Sequence, residues 1–238
     1  MWYAKPSGEY AISSTEGTAN ILEMNGLLND AGYTLEAQAG LIGCSVGEGA
    51  LNPWRWQMND HGVDTVDYSK GYGLFQFTPA RGYIDGCTQL QGYAPNLSTT
   101  TITSGAQPSD GYCQTNVVIT DFLGKWTRDC WRDYWSKTTY ASLWEQAQHI
   151  LSTYGNGTKL TQAQFATIDD IGDATLAFLA CYEGPKIPDY SNRLNYANAV
   201  YPILSGGVTP TPPTPTPTPT PVTRGRKLPI WMMCRKIH

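Results

Sequence analysis

Residues 43–57 read "GCSVGEGALNPWRWQ". One carboxylate, Glu48, stands among small and apolar residues; the chain then breaks at Asn52-Pro53 and continues through Trp54 and Trp56. The residues leading into this stretch, "TLEAQAGLIGCSVGEGAL" (34–51), spell a helix. Thr34 offers an N-cap, and Leu41, Ile42, Cys44 and Val46 fall on an inward face. The proline at 53 stops it. Glu48 therefore belongs to the last turn, where the helix carries partial negative charge and disfavours an anion. Apolar surroundings push the same way, so the acid keeps its proton near neutral pH. A protonated carboxyl in a cleft can give that proton to a leaving oxygen, the task of a general acid in glycoside cleavage. Gly47 and Gly49 leave room beside it for a bulky sugar. The competing reading is an exposed terminal glutamate with no role.

Outward from this helix the chain reads as mainly helical. Residues 15–32 place Ile21, Leu22, Met24, Leu27 and Leu28 near helical spacing, with Thr15 or Thr18 as cap and Gly32 as stop. Segments 114–134, 140–154, 171–183 and 190–203 read as further helices. Residues 57–78 look irregular or hairpin-like, with "DYSKGYGLFQF" (67–77) the best short strand region. Residues 92–112 read as a long surface loop. A boundary falls near residue 205, where "SGGVTPTPPTPTPTPTPV" begins. Repeated Thr-Pro excludes helix and central strand and suits an extended polyproline spacer. The expected organisation is a globular domain at 1–205, a Thr-Pro linker at 206–222 and a basic, apolar-centred tail at 223–238.

Composition narrows the function classes. The tail carries five Lys/Arg and no acid, which leaves residues 1–222 with eleven basic and twenty acidic residues, a formal −9. An acidic domain argues against nucleic-acid binding. No apolar run reaches the roughly 20 residues of a membrane span, and the N-terminus lacks the apolar core of a secretory signal. Eight Trp and 15 Tyr suit a carbohydrate- or peptide-contacting surface, and they also fill cores. Six widely spaced cysteines and three scattered histidines, with no CxxC, argue against a zinc site, and no cofactor is implied. Buried free thiols are the expectation, with Cys87–Cys113 as a conceivable disulfide. A cysteine-peptidase pairing of Cys44 or Cys181 with His61 or His149 fits poorly.

Downstream of the acid lies "GYGLFQFTP" (71–79), whose glycines permit close approach of another chain segment. The succession "GLIGCSVGEGALNPWRWQ" (40–57), "GYGLFQFTPARGYIDGC" (71–87) and "LAFLACYEGPKIPDYSNR" (176–193) resembles the phage tail lysozymes, peptidoglycan-cleaving domains. The first two blocks also resemble the Glu and "GLMQ" motifs of lytic transglycosylases, which share the lysozyme-like fold. The resemblance implies an α+β, mainly α, lysozyme-like domain with a small β region after the acid. It makes Glu48 the catalytic acid. One position departs: the residue after the acid is often a supporting Ser, and here it is Gly49, so the support of Glu48 is left open.

A second carboxylate for the oxocarbenium-like transition state or for water activation is sought in the loop after Gln57. Asp67 is slightly favoured over Asp64. If neither faces Glu48, a single-acid mechanism assisted by the sugar's N-acetyl group follows. Glu183, after the apolar run "LAFLACY", is either a structural partner at a helix end or a cleft residue, together with Tyr182. Asn52, Gln57, Tyr72 and Gln76 are expected substrate contacts, since neutral amides and hydroxyls match sugar groups; Asn52 has a competing turn role before proline. Trp54 and Trp56 stack on sugar or support the cleft wall. The expected function is a muramidase acting on peptidoglycan glycan strands, associated with a virion tail or released at host lysis; its tail docks another virion protein, with an anionic membrane or wall-polymer surface and a disordered end without a specific role as the competing readings. The alternatives are a lytic transglycosylase giving anhydro products and an inactive wall-binding or tail structural protein.

Overall fold

The computed structural model describes residues 2–5, 8–57, 69–83, 108–126 and 135–206. The second helix organises it. Helix α1 spans Thr15–Asp30 and α2 spans Leu35–Gly49. Thr34 caps α2 as expected, its side chain accepting from the Ala37 amide. For α1 the cap is Ser14, one residue before the first expected candidate, its hydroxyl accepting from the Gly17 amide. Then come α3 (Pro108–Ile119), α4 (Ala141–Tyr154), a short α5 (Gln162–Phe165), α6 (Ile171–Phe178) and α7 (Tyr190–Leu204). Helix α5 was not expected; its signal is the capping box from Thr161 to Gln164.

Helix α2 packs chiefly against α7 and α6. Its glycines explain how closely. A Cβ at Gly40 would lie 2.7 Å from the Thr175 backbone nitrogen, and one at Gly43 would lie 2.5 Å from that of Ala197. Any side chain at either position would push the helices apart. An aromatic cluster fills the space beyond. Trp126 packs on Phe165 and Tyr182 at centroid distances of 4.8 and 5.1 Å, and Phe178 stacks on Tyr182 at 4.8 Å.

Several expectations need correction. Helix α3 begins at Pro108, inside the stretch read as surface loop, and its described continuation at 120–126 is turn rather than helix. The part of the strand region that is described, 69–78, forms turns with a single antiparallel bridge between Trp56 and Tyr72. Left-handed backbone at Gly73 (φ 79°) and Gln76 (φ 44°) bends the chain too sharply for a strand. The described residues are thus mainly helical with almost no strand. The free-thiol expectation holds for Cys44, which is buried, and fails for Cys181, which is disulfide-bonded; Cys113 is disulfide-bonded too, the alternative named for it. Sequence spacing did not reveal which thiols meet in space. The Thr-Pro linker, the tail, the 92–107 loop, Cys87 and His61 lie outside the described residues, and no described helix is long and apolar enough to cross a membrane.

Candidate active site

Glu48 stands in the last turn of α2, as the sequence reading places it. Ala50 (φ 47°) and Leu51 (φ 57°) are both left-handed, an uncommon pair of non-glycine residues that turns the chain sharply after the acid. Asn52 holds this turn. Its Nδ2 donates to the Lys5 and Gly8 carbonyls at 3.0 and 3.1 Å, and its Oδ1 accepts from the Trp54 amide at 3.1 Å. Asn52 is wholly buried, so its amide serves the backbone and is withheld from a ligand. Its competing turn role is the one realised.

The space at the two glycines is filled, which corrects the expectation that they make room for sugar. A Cβ at Gly47 would fall 1.2 Å from Arg193 Nη1. A Cβ at Gly49 would fall 2.4 Å from the Gly73 carbonyl oxygen. Gly47 therefore admits a guanidinium from α7, and Gly49 admits the backbone of the second sequence block. That guanidinium answers how the acid is held without a neighbouring serine. Arg193 Nη2 donates to Glu48 Oε1, a hydrogen bond to the protonated acid that becomes an ion pair once the proton leaves; the glutamate side chain is 25% exposed and the arginine 10%.

The second block wraps around this corner. Gly73 donates its amide to the Arg55 carbonyl at 2.7 Å. Gln76 Nε2 donates to the carbonyls of Arg55 and Gly73 at 3.2 and 3.1 Å. Gln57 exchanges two bonds with Gly71, its amide donating to the Gly71 carbonyl and its Oε1 accepting from the Gly71 amide, both at 2.9 Å. Glu48, Arg55, Gln57, Gln76 and Thr78 line a cavity of about 370 Å³. Of the expected contacts, Gln57 and Gln76 therefore share the acid's cavity. Tyr72 and Tyr182 do not offer a surface: both are buried, at 0% and 1% exposure. Tyr72 packs on Trp56 and Tyr83 at 4.5 and 5.6 Å. Trp54 and Trp56 are buried too, as wall support. Asp64 and Asp67 lie outside the described residues.

Glu183 comes from a π-helical turn, Leu179–Glu183, that ends at left-handed Gly184. Such turns displace a side chain from the regular helical register. Both its carboxylate oxygens are closed off from solvent. Burial, then the charge of Glu48, raises its pKa from 4.5 to about 8, against the opposing pull of Arg193 and Lys125. Glu48 is raised as well, by burial first, with Arg193 and then Lys125 pulling it down. Lys125 lies 4.9 Å above the Tyr182 ring. The acid thus sits in a compact group of two carboxyls and two cations. At such a site a carboxyl retains its proton and, once that proton leaves, finds cations in place.

Sequence reasoning missed Arg193, Lys125 and Gln114. Arg193 had a signal: it is a lone cation on the α7 face that also carries the buried Ala197 and Val200. Gln114, wholly buried in α3, ties the two blocks together, accepting from the Leu74 amide and donating to the Pro53 carbonyl, both at 2.7 Å. The cysteine-nucleophile reading fails on chemistry. Burial pushes the Cys44 thiol well up, and Cys181 is disulfide-bonded. Among the described residues no three His, Cys, Asp or Glu gather in a way that holds a metal.

The chain is 34% identical over 85 residues to Morphogenesis protein 1 of Bacillus phage B103, an alignment covering 36% of this chain and 21% of the phage protein. Residues 19–204, which hold the acid, the glutamine turn, Glu183 and Arg193, match the phage tail lysozyme family, and the chain belongs to it.

Proposed function

We propose that the protein is a muramidase that cleaves the bond between N-acetylmuramic acid and N-acetylglucosamine in peptidoglycan. The observation that carries this reading is the half-buried Glu48 carboxyl, raised in pKa, in a cavity beside Gln76 and Gln57. Arg193 engages Oε1, so Oε2 carries the proton. Oε2 gives it to the glycosidic oxygen as the C–O bond breaks, while positive charge gathers on the anomeric carbon. The new Glu48 carboxylate is stabilised by Arg193 and Lys125, a stabilisation that grows as the proton leaves and so lowers the barrier. The carboxylate can then take a proton from the attacking water. Asp67, or else Asp64, is the proposed second carboxylate. Gln57 and Gln76 are the proposed contacts to the sugar's amide and hydroxyl groups.

One observation favours a second reading, a lytic transglycosylase. The described carboxyl that shares its surroundings with Glu48 is Glu183, whose burial and the charge of Glu48 push its pKa up to about 8 and so favour the protonated form at neutral pH. Attack by the substrate's own N-acetyl group would then replace the second carboxylate and leave an anhydro end. Digestion of purified wall separates the two: mass spectra of the fragments show reducing ends for hydrolysis and anhydro ends for transglycosylation. Fragments released by wild type and not by a folded Glu48→Gln variant exclude an inactive scaffold. We place the protein on a virion tail or in the lysis step, with residues 223–238 docking a virion component.

A further inference from the structure

A second and larger cavity, about 840 Å³, borders the same end of α2 through Val46, Gly47 and Ala50. It shares Arg55 with the cavity that holds Glu48. Helix α7 joins the two: Arg193 reaches the acid, and Tyr196, Ala199 and Ile203, three to four residues apart and so on one face, line the larger groove. The lining is mixed: Ile12, Val46 and Ile203 give it an aliphatic side, and the hydroxyls of Ser13, Ser14, Thr15 and Thr18 a polar one. A peptide with small side chains fits such a mixed surface, its methyl groups against the aliphatic side and its backbone amides against the hydroxyls.

One end of the groove is charged. Arg55 Nη1 pairs with Glu9 Oε1 at 2.6 Å, the arginine side chain 8% exposed and the glutamate 61%. Lys5 lies alongside, its Nζ 4.4 Å from the centroid of the Tyr10 ring and donating to the Glu9 carbonyl at 2.7 Å. The buried cation is fixed while its present anion faces solvent, so an incoming carboxylate can take the place of Glu9. The displaced Glu9 can in turn receive an ammonium. The volume suits a short peptide, since ligand sites run to roughly 300–1,000 Å³.

We propose that this groove binds the peptide that substitutes the glycan: a short peptide of small aliphatic residues bearing a carboxylate for Arg55 and an ammonium for Glu9. The identification of that peptide as a glycan substituent rests on the function proposed above. Arg55 touches both cavities, so peptide bound in one positions the sugar bond at Glu48 in the other.

The test uses the full chain and a synthetic tetrapeptide, Ala-Glu-Lys-Ala, titrated by NMR. Saturable binding is expected, weakened tenfold or more by Ala199→Trp, which fills the groove from an exposed position, and by Tyr196→Ala on its rim. Tetra-alanine blocked at its ends by acetyl and amide groups, and so without charge, should bind at least tenfold more weakly. Absence of saturable binding at millimolar peptide, or affinity untouched by both substitutions, overturns the proposal. Cleavage of peptide-bearing and peptide-stripped glycan is measured in parallel. Wild type should show a tenfold higher kcat/KM on the peptide-bearing strand, and Ala199→Trp should erase that preference through KM while cutting stripped strand as wild type does. If the tetrapeptide binds as expected and neither glycan is cut, the groove stands and the glycosidase reading falls. If glycan is cut and the tetrapeptide does not bind, the glycosidase reading stands and the groove falls.

Discussion

Burial of the Glu48 carboxyl and the guanidinium of Arg193 pull its proton affinity in opposite directions, and burial is the stronger. Removing Arg193 removes the opposing pull and also the cation that meets the new carboxylate. Arg193→Met is therefore expected to move the alkaline limb of the pH–rate profile upward and to lower kcat about 100-fold, the scale of losing one preorganised donor; stopped digests across pH, with circular dichroism as a fold control, check both. A change in KM alone would assign Arg193 to substrate binding. At this scale the sequence was partly legible. Glu48 announced itself because helix-end position and apolar neighbours are local facts. Arg193 did not, because it lies 145 residues away and meets the acid only through the packing of α7 on α2. Asn52 offers two readings in the sequence, a sugar contact and a turn residue before proline, and its bonds to Lys5, Gly8 and Trp54 realise the second.

The glycines of α2 separate packing from chemistry. At Gly43 the obstacle to a side chain is the backbone of α7 at Ala197, which cannot yield without moving a helix. Gly43→Ala is expected to cost about 1–3 kcal/mol of stability, as overpacking does, measured by urea unfolding. At Gly47 the obstacle is the end of a long side chain, Arg193. Gly47→Ala is expected to expel the guanidinium, to destabilise through the broken Arg193–Glu48 contact rather than through a backbone clash, and to reproduce the activity loss of Arg193→Met. Helix periodicity, joined at α2 by the Thr34 cap, made α2, α4 and α7 readable from sequence. The turns at 69–78 were not, since left-handed Gln76 is imposed by its bonds to Arg55 and Gly73 rather than by its own preference.

Across the whole molecule, Glu183 links the site to stability. Its pKa rises from 4.5 to about 8 in the folded state. Below pH 4.5 both folded and unfolded chains hold that proton, and its contribution is complete. Between pH 4.5 and 8 the unfolded chain releases the proton while the folded chain keeps it, so stability falls as pH rises. Glu183→Gln abolishes that slope. The difference in Tm between variant and wild type should grow in the variant's favour from pH 5 to pH 8, which thermal melts across pH will show; parallel curves would place Glu183 in an ordinary carboxylate environment. The overall architecture was legible as mainly helical because long amphipathic segments dominate it. The disulfide at Cys181 was not, because pairing follows spatial contact that spacing does not encode.

The claim beneath all of this is that Glu48 holds a proton in a partly dry pocket. Its carboxyl carbon can be followed directly by NMR in protein carrying ¹³C-labelled glutamate, with Glu48→Gln and Glu183→Gln assigning the signals. The account predicts that the two carboxyls titrate in separate steps, both above the ordinary value of 4.5, with the upper one near 8. A Glu48 signal that titrates at or below 4.5, as in a carboxylate governed by its arginine alone, would contradict it.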